Sequence, residues 1–131
     1  MRAIVRNAII SDSLLLAMGV TADATLAGDV DTPEGRPFLN LKWGQELPSF
    51  RESLSVQATL AVWVHHVPGD FDPINKILTR LRILLPSIQA VMVPGGSEVQ
   101  VITWQGNGPD LQDDGHRTIV KVGNYQVVGK V

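Results

Sequence analysis

The chain contains no cysteine, which removes disulfide frameworks, thiolate metal sites and thiol nucleophiles from consideration. A cysteine-free chain suits a reducing compartment, or a particle assembled in one. Histidine is scarce as well, at three residues: His65, His66 and His116. Neither sign of charge dominates. Eleven Lys and Arg against 13 Asp and Glu leave a formal net charge of -2, so there is no basic field to hold a phosphate backbone, and nucleic-acid binding by sequence is not expected. Long apolar runs are missing too. Arg2 and Arg6 flank an apolar stretch at the N-terminus, but Asn7, Ser11, Asp12 and Ser13 interrupt it before a secretory segment forms. The longest uncharged apolar run is far too short to cross a bilayer. The expectation is a soluble domain made inside the cell, with no membrane partner.

What is present fits one domain spanning residues 1–131, long enough for a core of its own and too short for two ordinary domains. Ile4, Val5, Ala8, Ile9, Leu15 and Leu16 recur at helical spacing before Gly19, and Ser11-Asp12-Ser13 marks either an interruption or the cap of a second short helix. From Val20 to Pro37 the composition turns acidic and glycine-rich, which predicts a long surface loop. Leu39, Leu41 and Trp43 alternate with polar residues, as do Leu54, Val56, Ala58, Leu60, Val62 and Val64. Both runs read as half-buried strands, with Glu46 to Glu52 as the turn between them. Asp72-Pro73 opens the clearest helix, its carboxylate placed as a cap. Ile74, Ile77, Leu78, Leu81, Leu84 and Leu85 form the apolar stripe, and Pro86 marks the end. A short extended piece at Ile88 to Val93 and strands at Val99 to Gln105 and Thr118 to Val128, the last with a bulge at Gly123-Asn124, complete the reading. The order α-β-β-α-β-β implies an α+β fold: a largely antiparallel sheet of four to five strands with two helices on one face.

Catalytic chemistry finds no foothold in this pattern. His65 and His66 are adjacent on a strand and point to opposite faces, so they cannot chelate one ion. Asp110 to Gly115 has acidic side chains at alternate positions before a glycine, yet a calcium loop of the EF-hand type needs a glutamate where Lys121 stands. Gly95-Gly96 and Gly106-Asn107-Gly108 are not followed by helices and match no phosphate loop. No local context singles out a nucleophilic serine. The expectation is therefore a protein that is not an enzyme and holds no cofactor or metal. Interaction residues are expected instead at Trp63, on the more polar face of its strand, and on two acidic segments: Asp29, Asp31 and Glu34 in the first, Asp110, Leu111, Asp113 and Asp114 in the second.

Three stretches then carry a resemblance: the N-terminal helix with Arg2-Ala3-Ile4 and Ala8-Ile9 and its Asp12-initiated second turn, the helix DPINKILTRLRILL from Asp72, and PDLQDDGHRTIVKVGNYQVVG from Pro109 to Gly129. Together they resemble the tail terminator proteins of long-tailed bacteriophages, also called tail completion or tail-to-head joining proteins. The resemblance spans nearly the whole chain. It implies a structural virion protein, assembled in the host bacterial cytoplasm, that forms a hexameric ring on the head-proximal end of the tail tube. Such a ring stops polymerisation of the major tail tube protein, offers a docking surface to the head-tail connector, and leaves a lumen for DNA. Two alternatives stand beside it: another small phage head-tail connector, and a small-molecule-binding α+β domain with the sheet face as its pocket floor.

Overall fold

The computed structural model describes residues 1–27, 37–49, 55–89, 91–92, 98–115 and 117–130. Helix α1 (Arg2–Ile10) buries Ile4, Val5 and Ile9, three residues within one turn-and-a-half of each other on a single stripe. Asp12 then stops one helix and starts the next. Its backbone is extended, and its Oδ2 accepts the Leu15 N–H at 3.0 Å as the cap of α2 (Ser13–Ala17). The restart changes the helical phase. Leu15 is wholly buried whereas Leu16, expected on the same apolar face, is 55% exposed, because consecutive residues lie about 100° apart on a helix. Gly19 closes α2 with φ at +91°, a conformation that costs glycine little.

Helix α3 (Asp72–Leu84) buries Ile74, Ile77, Leu78 and Leu81 and runs into a 3-10 turn (Leu85–Ser87) at Pro86. Its cap differs from the expectation. The residue at the cap position is Phe71, and the Asp72 N–H is taken up by Asp70 Oδ1 at 2.9 Å. Asp72 lies inside the first turn, where its charge still complements the positive end of the helix.

Seven strands form one sheet among the described residues: β1 (Thr25–Ala27), β2 (Phe38–Pro48), β3 (Val56–His66), β4 (Val91–Met92), β5 (Glu98–Asn107), β6 (Leu111–Asp113) and β7 (Thr118–Lys130). The spatial order is β1-β2-β3-β7-β5-β4, with β6 beside the first residues of β7. Every pairing is antiparallel except β1 with β2. The expected α+β architecture holds, with more strands than expected. β1 falls in the stretch read as loop, and its three residues are too few to show an alternation. Glu46 to Pro48, read as turn, are the end of β2 paired with Val56 to Ala58. The bulge expected at Gly123-Asn124 lies on the partner strand. β3 and β7 pair without interruption, while β5 carries extra residues between Val99 and Val101 and between Trp104 and Gly106.

All three helices pack against one face of this sheet. Leu39, Leu41, Leu60, Val62, Val64, Ile102, Tyr125 and Val127 join Val5, Ile9, Leu15, Ile74, Leu78 and Leu81 in a single apolar cluster. At the centre the sheet side is stripped to backbone. A β-carbon added at Gly123 would meet Leu78 Cδ2 at 3.2 Å, so the absence of a side chain there is what lets the helix come close. Met1 is also buried, and its ammonium donates to the Lys130 carbonyl at 3.3 Å, tying α1 to β7.

Candidate interaction surface

Register fixes what lies on the face away from the helices. Residues directly opposite one another share a face, so Asn40, Trp63 and Val122 form one row and Lys42, Ala61 and Asn124 the next. Further along come Thr59, Gln126 and Thr103, and there Gln126 Nε2 donates to Gln57 Oε1 at 3.0 Å. This part of the face is amide- and hydroxyl-rich, with Trp63 half-buried in its middle. The Asn40 Oδ1 beside it is shielded from solvent and has no hydrogen-bond partner among the described residues.

The other end of the same face is closed. Phe38 stacks on His65 with ring centroids 4.3 Å apart and planes 8° from parallel. His65 Nδ1 lies 2.8 Å from Thr118 Oγ1, and Asp113 Oδ2 stands 4.0 Å away. By alternation His65 shares the more polar face of its strand with Trp63, a face open to water or to another subunit. It is only 5% exposed, because the ring stack satisfies its apolar body and the threonine hydroxyl its nitrogen. His66 points the other way, its Nδ1 3.4 Å from the Val67 carbonyl oxygen; His116 lies outside the described residues.

The second acidic segment is a strand and turn rather than a loose loop. The Gly108 N–H donates to the Val122 carbonyl at 2.8 Å, β6 pairs with β7, and Arg117 takes a positive φ of 55° in the turn between them. Its carboxylates diverge. Asp110 pairs with Lys121 Nζ at 3.2 Å, on the helix side, where Lys121 also donates to Asn75 Oδ1 at 3.1 Å. Asp113 stands by His65 on the opposite face, and Asp114 is exposed at the turn. Among the described residues no three His, Asp or Glu side chains converge on a point where an ion could sit. Leu111 is 39% exposed, its in-register partner being Val120. By register Leu111 lies in the row of Phe38, His65 and Val120, next to the row of Asn40, Trp63 and Val122. Asp29, Asp31 and Glu34 lie outside the described residues.

One further feature is not among the expected sites. Between α2 and α3 an open cleft of about 640 Å³ is lined by Leu14, Met18, Thr79 and Ile83, with Lys76 and Arg80 along the α3 side. Leu14 is 53% exposed and Ile83 60%. Arg80 is locked: its Nε and Nη2 donate to the two oxygens of Asp12 at 3.0 and 2.7 Å. These bonds, with the Leu15 N–H, hold the Asp12 carboxyl below its ordinary pKa. The sequence did carry a signal. Three leucines in a row cannot share one face of a helix, and Ile83 lies off the stripe drawn by Ile74, Ile77, Leu78 and Leu81.

No protein-family model matches the chain, and no curated protein matches it. Among solved structures, one whose name states no function is similar over 97% of this chain and 95% of its own, with a TM-score of 0.56 and 17% identity. At that identity the likeness shows the fold alone.

Proposed function

We propose that this chain is a structural, non-catalytic protein of a long-tailed phage: a tail terminator that closes the head-proximal end of the tail tube as a ring of identical subunits, most simply a hexamer. The observation that carries the reading is the one-sided covering of the sheet. Three helices pack on one face, while Trp63 and its amide- and hydroxyl-bearing neighbours stand on the other with no second layer among the described residues. A half-buried tryptophan in a polar surround is the composition of a contact face rather than of a catalytic pocket. The likeness of residues 2–18, 72–85 and 109–129 to the tail terminator family supplies the specific role. A ring of copies, the major tail tube protein below and the head-tail connector above would be its partners, with DNA passing through the lumen.

The test is assembly in cells that make every tail protein except this one. Tubes of uncontrolled length, or tails unable to join heads, are expected, and added purified protein should restore joining. A Trp63→Ala variant that melts like wild type should restore it poorly. Tails that stop and join normally without the protein would rule the function out.

A further inference from the structure

We infer that the two open edges of the sheet pair with each other between copies of this chain, the outer edge of β2 in one copy hydrogen-bonding to the outer edge of β5 in the next. The inference rests on the ring reading above and names the contact that would close the ring. Both outermost strands are stubs. β1 covers only Leu39 to Leu41 of β2, and β4 only Glu98 and Val99 of β5. Among the described residues the outward backbone groups of Trp43 to Pro48 and of Val101 to Asn107 meet no third strand, and such a row is a template for another strand. The β5 stretch carries neither a charge nor a proline, two devices that blunt an edge. The β2 stretch ends in Pro48 and bulges at Gly44-Gln45, and β5 bulges between Trp104 and Gly106, so neither edge suits an arbitrary flat strand.

The two stretches lie level with each other across the sheet. Trp43 lines up through Leu60 and Tyr125 with Trp104, and Leu47 through Gln57 and Val128 with Val101. Three successive antiparallel pairings also leave β5 running opposite to β2. A neighbour turned about an axis along the strands therefore sets its β2 antiparallel to β5 with no shift along them. A contact that needed a shift would climb into a filament, whereas a level one closes into a ring. Like edge on like edge would take two different contacts to occupy both stretches. The unlike contact occupies both at once.

The side chains at this level gain from such a pairing. Trp43 and Trp104 are both half-buried, each at an edge and each on the helix side of the sheet, where their partners Leu60 and Tyr125 enter the core. Arg2 lies over the Trp43 ring at 5.7 Å from its centroid, and Arg82 over Trp104 at 3.8 Å. In the paired sheet the two indoles become direct cross-strand neighbours, and tryptophan is enriched among the residues that dominate interfaces. The two guanidinium groups draw nearer as well, and Glu46, next on that face and 3.8 Å from Arg2, is the carboxylate beside them. On the other face Leu47, 45% exposed, comes beside the half-buried Val101.

The absence of cysteine makes the test clean, since any thiol is an introduced one. Leu47→Cys and Thr103→Cys, both at exposed positions on the face away from the helices, are made separately and together and treated with a short bismaleimide at high concentration and on isolated tail tubes. Within one copy the two positions are three strand spacings apart, about 14 Å and beyond the reagent's reach. Across the proposed contact they are diagonal neighbours at about 7–8 Å. The doubly substituted chain should give a covalent ladder ending at the closed ring. An equimolar mixture of the two single variants should give a dimer and nothing larger, and each single variant alone should remain a monomer. Dimers of a single variant with itself, or no product from the double variant in either setting, would overturn the contact. A Trp43→Ala change in the double variant, if the protein melts as before, should cut the ladder about tenfold or more; an unchanged ladder would overturn it as well. If the double variant stays uncrosslinked yet terminates tails normally, the contact is wrong and the tail role stands. If the ladder forms although tails terminate without the protein, the contact stands and the role is wrong.

Discussion

Leu78 is the residue on which the helix-on-sheet packing can be judged most sharply. It is fully buried at the middle of α3, and beneath it the sheet offers Gly123, with no side chain able to move into a vacated space. Truncation to alanine removes three carbons from a site whose sheet side, at Gly123, is bare backbone. Buried leucine-to-alanine changes cost about 2–5 kcal/mol, and a site that holds its cavity belongs in the upper half, about 3–5 kcal/mol. At this chain length each kcal/mol moves the melting temperature by roughly 4 °C, so a fall of about 12–20 °C is expected. The control is Ile83→Ala on the same helix, 60% exposed, which should change stability by no more than about 0.5 kcal/mol. Gly123→Ala should destabilise alone by pressing on Leu78 and cost less in the Leu78→Ala background, a coupling that only residues in contact show. Circular dichroism melts and urea titrations of the four proteins supply the numbers. A Leu78→Ala protein within about 1 kcal/mol of wild type, or an Ile83→Ala protein that falls as far, would refute the packing.

Asp12 caps α2 and holds Arg80, and its pKa is lowered chiefly by the Arg80 hydrogen bonds. Its contribution is therefore complete above the unfolded carboxylate value of about 4 and is lost as pH falls through the lower folded value; urea titrations should show Asp12→Asn less stable than wild type at pH 7 and the gap closing in acid. The Tyr125 hydroxyl is buried with no partner among the described residues, and burial raises its pKa far above the ordinary phenol value. Tyr125→Phe should match or exceed wild type in stability, and ultraviolet titration of the single tyrosine should show ionisation only as the protein unfolds in alkali. At Gly129 an added β-carbon would overlap the Glu98 carbonyl oxygen, a backbone atom that cannot swing aside; Gly129→Ala should lower stability by about 1–3 kcal/mol in a urea titration.

The elements legible in the sequence were those whose burial follows a period. α3 and β3 show four or more apolar residues at helical or alternate spacing, and Ile74, Ile77, Leu78 and Leu81 in the one and Ala58, Leu60, Val62 and Val64 in the other are buried as the spacing implies, while Leu54 lies outside the described residues. What the pattern could not show was decided by partners far along the chain. β1 and β6 are three residues each, too short to display a period, and exist because β2 and β7 offer edges to pair with. His65 shares the more polar face of β3 with Thr59 and Trp63 by alternation alone, and its burial comes from Phe38 and Thr118, which arrive from other strands. Of the surface residues, Trp63 is half-buried and Leu111 exposed, and the carboxylates of Asp110, Asp113 and Asp114 are dispersed by the β6–β7 hairpin, which their sequence spacing does not reveal.

Strand β7 borders β3 on one side and β5 and β6 on the other. Among the described strands no other one pairs with both halves of the sheet, and β7 follows all of them in the chain. During synthesis the hairpin of β2 and β3 therefore waits with an uncovered edge, and so does β5, until the ribosome has released Thr118–Lys130. The pairings that then form are separated by many residues, which makes the closing step slow relative to helix formation. For that interval the nascent chain presents two valine-rich borders to any neighbour, including another copy of itself on the same message. Correct folding thus depends on a race that β7 must win before unlike edges find each other.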